Sequence, residues 1–358
     1  MADRYWRNGT GTWSSSNTAN WSDTSGGAGG FSVPTAADNV FFDANSNVGV
    51  GAFTVTMTNT PRVCNDFTAS GLDGTMTLAG SVSLIISGSI TLPSTNFVRT
   101  ATGTFTFDAT TTGKTITTNG VSLRNIFFNG VGGVWQLGSA LTCAGFTLSN
   151  GTFDLNGKTC TAENRITTNP GTKNLTFNGG TIIIAGSSIT AFNNDTPTGF
   201  TTTAGTGTGT ISMTAATAKT FVGAGSTFNC TLNQGGAGAL TITGSNTFSN
   251  ITNTRKSASA TSILFTAGTT NTFTDWNASG ESTRLLTIGS DIAASHTLSK
   301  ASGTVSADYL SISESTATGG AAWYAGANST NGGNNSGWVF TAPPAPPGTA
   351  TGNFLMFF

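Results

Sequence analysis

Charge is the scarcest property of this chain. Asp, Glu, Lys and Arg make up 8% of its 358 residues, against about 25% in an ordinary globular protein. Basic side chains number 14 and acidic ones 15, for a formal net charge of −1. Lys and Arg are scattered, so the sequence predicts no basic face and no nucleic-acid partner. Histidine occurs once, at His296. A Ser-His-Asp relay therefore has a single candidate base, and no Gly-x-Ser-x-Gly elbow accompanies it. His296 reads as an ordinary loop or strand-edge residue. Cys64, Cys143, Cys160 and Cys230 lack the close pairing of zinc ligands, and read as small buried apolar residues. No apolar run approaches the ~18 residues of a membrane-spanning helix. The opening MADRYWRNGTG lacks the apolar centre of a signal peptide, which implies synthesis in a cytoplasm and no use of the general secretory route.

Helical periodicity is nearly absent as well, because Gly, Thr, Ser and Asn interrupt every window in which it could develop. What the chain has instead is strand material. Apolar residues reach 37%, with 24 Phe against only 3 Tyr, and Gly totals 48. In TMTLAGSVSLIISGSITL (75–92), GTFTF (103–107) and LTFNGGTIII (175–184), apolar and small polar residues alternate between glycines. That pattern predicts an all-β protein.

Short units recur. An apolar-x-Asn/Asp-apolar unit stands at Leu123-Arg124-Asn125-Ile126, Phe248-Ser249-Asn250-Ile251 and Phe273-Thr274-Asp275-Trp276. GTFTFDATTTGKTIT from Gly103 returns, shortened, as GTFDLNGKTCT from Gly151, and its Lys-Thr-apolar portion returns at Lys219-Thr220-Phe221. Thr-preceded aromatics at Phe228, Phe248 and Phe273 are spaced by roughly 20 to 25 residues, the length of one solenoid coil. The expected fold is a parallel β-helix or β-solenoid with aromatic-rich caps, a jelly roll or stacked β-sandwiches being the alternative. Such a body would hold about 12 to 15 coils and measure about 60 to 70 Å. Residues 1–45 then read as a Trp-rich cap, with Trp6, Trp13 and Trp21 over an open core and Val40-Phe41-Phe42 as the first buried strand. Residues 46–306 form the body. Residues 307–340 either cap the other end or present Trp323, Tyr324 and Trp338 as a contact surface.

Motifs that carry chemistry are weak throughout. Gly113-Lys114-Thr115 and Gly157-Lys158-Thr159 end like a phosphate-binding loop, but Asp108 and Thr152 stand where its first glycine belongs. Both read as turns. The repeat GTGTGT (205–210) lacks the strand–turn–helix setting of a dinucleotide site. Paired carboxylates for glycan hydrolysis would have to come from dispersed acids. Asp275, Asp291 and Asp308 lie about one short coil apart, a spacing that allows them to stack along one face, though corner Asp residues in turns explain it without catalysis. No calcium repeat is present, and the sequence predicts no catalytic set, metal site or cofactor.

After Phe340, TAPPAPPG (341–348) reads as a semi-rigid spacer, and residues 349–358 as a hydrophobic docking tail. Phe354, Leu355, Phe357 and Phe358 are its expected partner contacts. The opening YWRNGTGTWSSSNTANWSDTSGG…VPTAADNVFFDANS resembles a module that begins β-solenoid proteins, among them filamentous-haemagglutinin-type surface adhesins and structural proteins of tailed phages, marine ones in particular. The segment 307–340 resembles the end of such phage proteins. The resemblance implies a non-enzymatic virion fibre, spike or capsid decoration that contacts the host surface or its glycans. It implies other virion proteins as partners and a homo-oligomer such as a trimer. The alternatives are a bacterial surface adhesin and a glycan-depolymerising tailspike.

Overall fold

The computed structural model describes residues 1–47, 49, 51–255 and 258–345. The alternation read from the sequence sets the burial. In Phe53–Met57 the side chains of Phe53, Val55 and Met57 are buried while Thr54 and Thr56 face outward. A strand built this way can bury one face only by stacking on another like it. The next strands in the ladder do that, in register and parallel, with Phe53 opposite Met76 and Val55 opposite Leu78.

Strands repeat in threes, and each triplet makes one turn of a three-sided prism. The first three face A strands of the body are Phe53–Met57, Met76–Gly80 and Phe97–Arg99. Face B begins with Arg62–Cys64, Leu84–Ile86 and Phe105–Phe107, and face C with Phe67–Ala69, Ile90–Thr91 and Lys114–Thr117. The chain is thus a parallel β-solenoid of about 13 turns, with sheet ladders along each side. Longer strands bend around corners without breaking. Leu141–Asp154 serves faces A, B and C in succession, pairing with Thr159–Thr168 and then with Lys173–Thr176.

The core is one continuous column of inward side chains. Aromatic rings stack along it from turn to turn: Phe228 on Phe248 at 5.3 Å, and Phe248 on Phe273 at 5.9 Å between ring centroids. All four cysteines lie inside it as free thiols. Burial, helped by the charges of Asp66 and Asp108, holds the Cys64 thiol well above its ordinary pKa.

Corners hold the polar groups. Asp154, almost fully buried, accepts two hydrogen bonds from Asn178 Nδ2, at 2.9 and 3.0 Å, and others from Gln136 and the backbone of Asn156. Asn246 and Asn271 form a buried ladder step at 3.2 Å. Lys173 is buried to 1% exposure, yet its Nζ donates to the carbonyls of Gly171, Thr196 and Thr198. Lys219 does the same for Ala215 and Gly238, and burial lowers its pKa to about 8. Buried ammonium groups are tolerated here because corner carbonyls, which the ladders leave free, accept their protons. At Gly209 the neighbouring coil comes so close that a Cβ would sit 2.2 Å from Phe177 Cβ.

Both ends are closed by tryptophan. Asp3–Trp6 extends the face C ladder below Asn39–Phe42, and Trp21–Ser22 pairs with it in the single antiparallel strand pair among the described residues. Trp6, Trp13 and Trp21 are fully buried around Phe42, with both Trp6 and Trp13 at 5.2 Å from Trp21. At the other end Trp276, Trp323 and Trp338 meet edge to face, Trp323 and Trp338 at 5.0 Å.

Candidate functional site

Of the three residues that would form a contact surface if 307–340 did not cap the rod, Trp323 is 2% and Trp338 9% exposed, and only Tyr324 stays half-buried. The indole N–H groups are also committed, Trp323 to Thr318 O at 2.9 Å and Trp338 to Ser315 Oγ at 3.0 Å. These two tryptophans therefore seal the core and offer no contact surface. Burying two indoles releases more free energy than displaying them. Phe354, Leu355, Phe357 and Phe358, the expected docking contacts, lie outside the described residues.

The three aspartates whose spacing allowed a stack do not form one. Asp275 sits on face A opposite Asn250. Asp291 follows face B, where it accepts the backbone N–H of Ala267 at 2.9 Å. Asp308 stands at the corner before the next face B strand and binds Asn328 through both carboxylate oxygens. Equal sequence spacing placed them at three stations around the prism, because corner loops differ in length. Among the described residues, no group of three or more His, Cys, Asp or Glu is placed to hold a metal ion.

His296 is not the loop or edge residue the sequence suggested. It opens the strand His296–Ser299, is fully buried and stacks on Phe265 at 4.9 Å. Its Nδ1 lies 2.8 Å from Ser290 Oγ, whose hydroxyl is 3.4 Å from the Glu314 carbonyl. Nε2 has no partner. The neutral tautomer that satisfies most of these groups donates from Nδ1 to Ser290, which donates to Glu314 O. Asp291 makes no hydrogen bond to the ring, so no relay forms. Both GKT segments sit at turns, with Gly113 at φ 79° and Gly157 at φ 73°.

Register reveals a feature that linear reading missed. Six arginines lie on or beside the edge between faces A and B: Arg62, Arg99, Arg124, Arg165, Arg255 and Arg284. Five acids lie at the edge between faces B and C: Asp66, Asp108, Asp195, Asp291 and Glu314. Basic residues scattered along the sequence are thus gathered by the fold. The acids are occupied: Asp66 accepts the Ser89 N–H, Asp108 the Ser87 hydroxyl, Asp195 the Asn193 amide and Glu314 the Asn334 amide. Several arginines are also occupied. Arg62 binds Thr60, Arg255 binds Ser259, and Arg284 faces Glu281 at 3.6 Å.

Midway along the A/B edge the surface dips. Leu123 pairs with Cys143 and Asn125 with Gly145, which in turn pairs with Arg165. Ala144 and Gly145, the smallest corner in this stretch, thus lie between the longer side chains of Arg124-Asn125 below and Glu163-Asn164-Arg165 above. The result is a hollow of about 340 Å³, lined by Asn125, Gly145, Thr147, Asn164 and Arg165. A second hollow of about 360 Å³ shares Asn125 and Thr147 and runs on past Phe127 and Thr106. Apart from Arg165, the lining is neutral amide and hydroxyl with one half-buried ring, a surface suited to hydroxyl-rich ligands.

No protein-family model matches the chain, and neither a curated protein nor a solved structure does.

Proposed function

We propose that this chain is a non-enzymatic structural protein of a bacteriophage particle, a fibre, spike or capsid decoration on the virion surface that meets the host surface or its glycans. The observation that carries the reading is a parallel ladder of about 13 turns whose ends are closed by buried tryptophans. A rod of that many turns reaches about 60 Å at a ladder spacing of ~4.8 Å, and every turn braces its neighbours through backbone hydrogen bonds. Its wall is built mainly of Thr, Ser and Asn, a surface that stays soluble with little charge and pairs readily with sugar hydroxyls. Four of the five acids at the B/C edge, Asp66, Asp108, Asp291 and Glu314, accept hydrogen bonds from a neighbouring coil, which favours a structural role for them over an acid/base role. The phage assignment rests on the resemblance of residues 5–46 and 307–340 to virion proteins. Other virion proteins and further copies of the chain are its expected partners. Immunogold labelling and mass spectrometry of purified particles test the proposal: the chain is expected at stoichiometric levels on the virion, and its absence there refutes the reading.

A further inference from the structure

We propose that the hollow on the A/B edge, flanked by Arg124 and Arg165, binds a carboxylate-bearing polysaccharide, one acidic sugar per guanidinium. The inference deepens the glycan-contact reading above and depends on it only for the biological setting.

Arg124 and Arg165 are exposed, and neither makes a hydrogen bond or ion pair among the described residues. That is unusual in a chain whose other edge charges are nearly all engaged. They stand two ladder steps apart across Gly145, about 10 Å at the ladder spacing. An extended pyranose chain advances by a similar step per sugar as the solenoid does per turn, so ligand and edge stay in phase.

Arg99 adds to the field from the turn below. Its guanidinium lies 4.5 Å over the Phe105 ring, and Nη2 donates to Gly103 O at 2.6 Å. Its buried Nε and Nη1 have no partner. Burial and, second, the charge of Arg124 lower its pKa to about 10. Glu163 is the one acid on this corner; it is exposed and pairs with neither arginine. Three guanidinia against one carboxylate leave the hollow positive in a chain that is negative overall.

Between the arginines, Asn125, Asn164, Thr147 and Thr167 supply amide and hydroxyl groups at sugar height. Phe127, facing outward between Thr106 and Thr147, provides a ring against which the C–H face of a pyranose packs. Nucleic acid fits less well. It calls for many phosphate contacts and open aromatic platforms for bases, and here two free arginines and a single half-buried ring are available. Carboxylate is favoured because the guanidinium fork matches it in two parallel hydrogen bonds.

The test uses the purified full chain, with polyuronate as probe and neutral dextran and single-stranded DNA of matched charge as controls. Calorimetry is expected to show binding of polyuronate that weakens with salt, and no binding of dextran. The double variant Arg124→Ala/Arg165→Ala removes two unpaired surface side chains and is expected to keep its fold, checked by circular dichroism. It should bind polyuronate at least about tenfold more weakly, since each charged hydrogen-bonded contact contributes up to about tenfold or more. Unchanged affinity in the double variant, equal binding of dextran, or tighter binding of DNA would each overturn the proposal. A chain absent from virions but binding polyuronate through these arginines sinks the virion reading alone. A chain present on virions with no polyuronate affinity sinks this inference alone.

Discussion

Burial lowers the pKa of His296 to about 4 from an ordinary 6.5, because charging the ring would place a cation against Phe265 with no acceptor for Nε2. The charge of Asp291 pulls the other way but does not offset the loss of water. The consequence for stability has a definite sign. Above pH 6.5 the ring is neutral both folded and unfolded, so the fold loses nothing. Below it the unfolded chain takes up a proton that the folded chain refuses, and stability falls until the pH reaches about 4. The fall across that window is about 3 kcal/mol, taking 1.36 kcal/mol per pH unit. His296→Phe keeps the ring stack, and Ser290 can still reach Glu314 O. Urea denaturation followed between pH 7 and 4 should show this slope in the native chain and a shallower one in the variant, by about that amount. Parallel curves for the two proteins would mean that the ring is hydrated and titrates normally.

Elements show what the sequence disclosed and what it hid. The units Phe248-Ser249-Asn250-Ile251 and Phe273-Thr274-Asp275-Trp276 do sit in register, residue on residue, so the coil length read from them is correct. The similar unit Leu123-Arg124-Asn125-Ile126 instead turns the A/B corner, one edge away. GTFTF places Phe105 on face B, whereas GTFDL places Phe153 on face C. All three faces ask the same thing of a strand, apolar in and small polar out, so a motif is not tied to a side. Corners run from the two residues of Arg124-Asn125 to the loop between Asn277 and Leu286, and no fixed period survives that variation. The solenoid was therefore legible from alternation, while the arginine edge appears only once register is known. Phe248 tests the column that results. It is fully buried among Phe221, Phe228 and Phe273, and Phe248→Ala should cost about 3 to 5 kcal/mol. Because each turn touches only its neighbours, hydrogen exchange should accelerate most in 221–228 and 270–276. Loss spread evenly from residue 1 to 340 would point to a single cooperative unit instead.

The whole molecule faces the problem common to all solenoids: each end of the ladder presents unpaired backbone groups and an open core. The N-terminal end solves it by a change of strand direction. Trp21–Ser22 runs antiparallel to Asp3–Trp6, so the ladder meets a strand that does not continue the parallel stack, and three indoles cover Phe42. Trp6 is held where it lies, its Nε1 donating to Gly9 O at 2.8 Å, while Asn8 Nδ2 donates to Ala19 O. Removing residues 1–38 leaves Asn39–Phe42 and Phe53–Met57, the strands that pair with Asp3–Trp6 and Gly11–Trp13, as parallel edge strands with Val40 and Phe42 uncovered. Nothing in the remaining turns depends on the lost segment except this last layer, so the body should stay β-rich. The uncovered edge, however, matches the edge of any other truncated copy. Light scattering after size exclusion is expected to show assemblies larger than those of the full chain, growing with concentration. Trp21→Ala, which opens the cover without freeing the edge, should lower stability by about 3 to 5 kcal/mol and leave the assembly size as it is. If the truncated chain keeps the full chain's assembly size at every concentration, the cap serves packing alone, and the wall of the rod, not its closed end, is what prevents association.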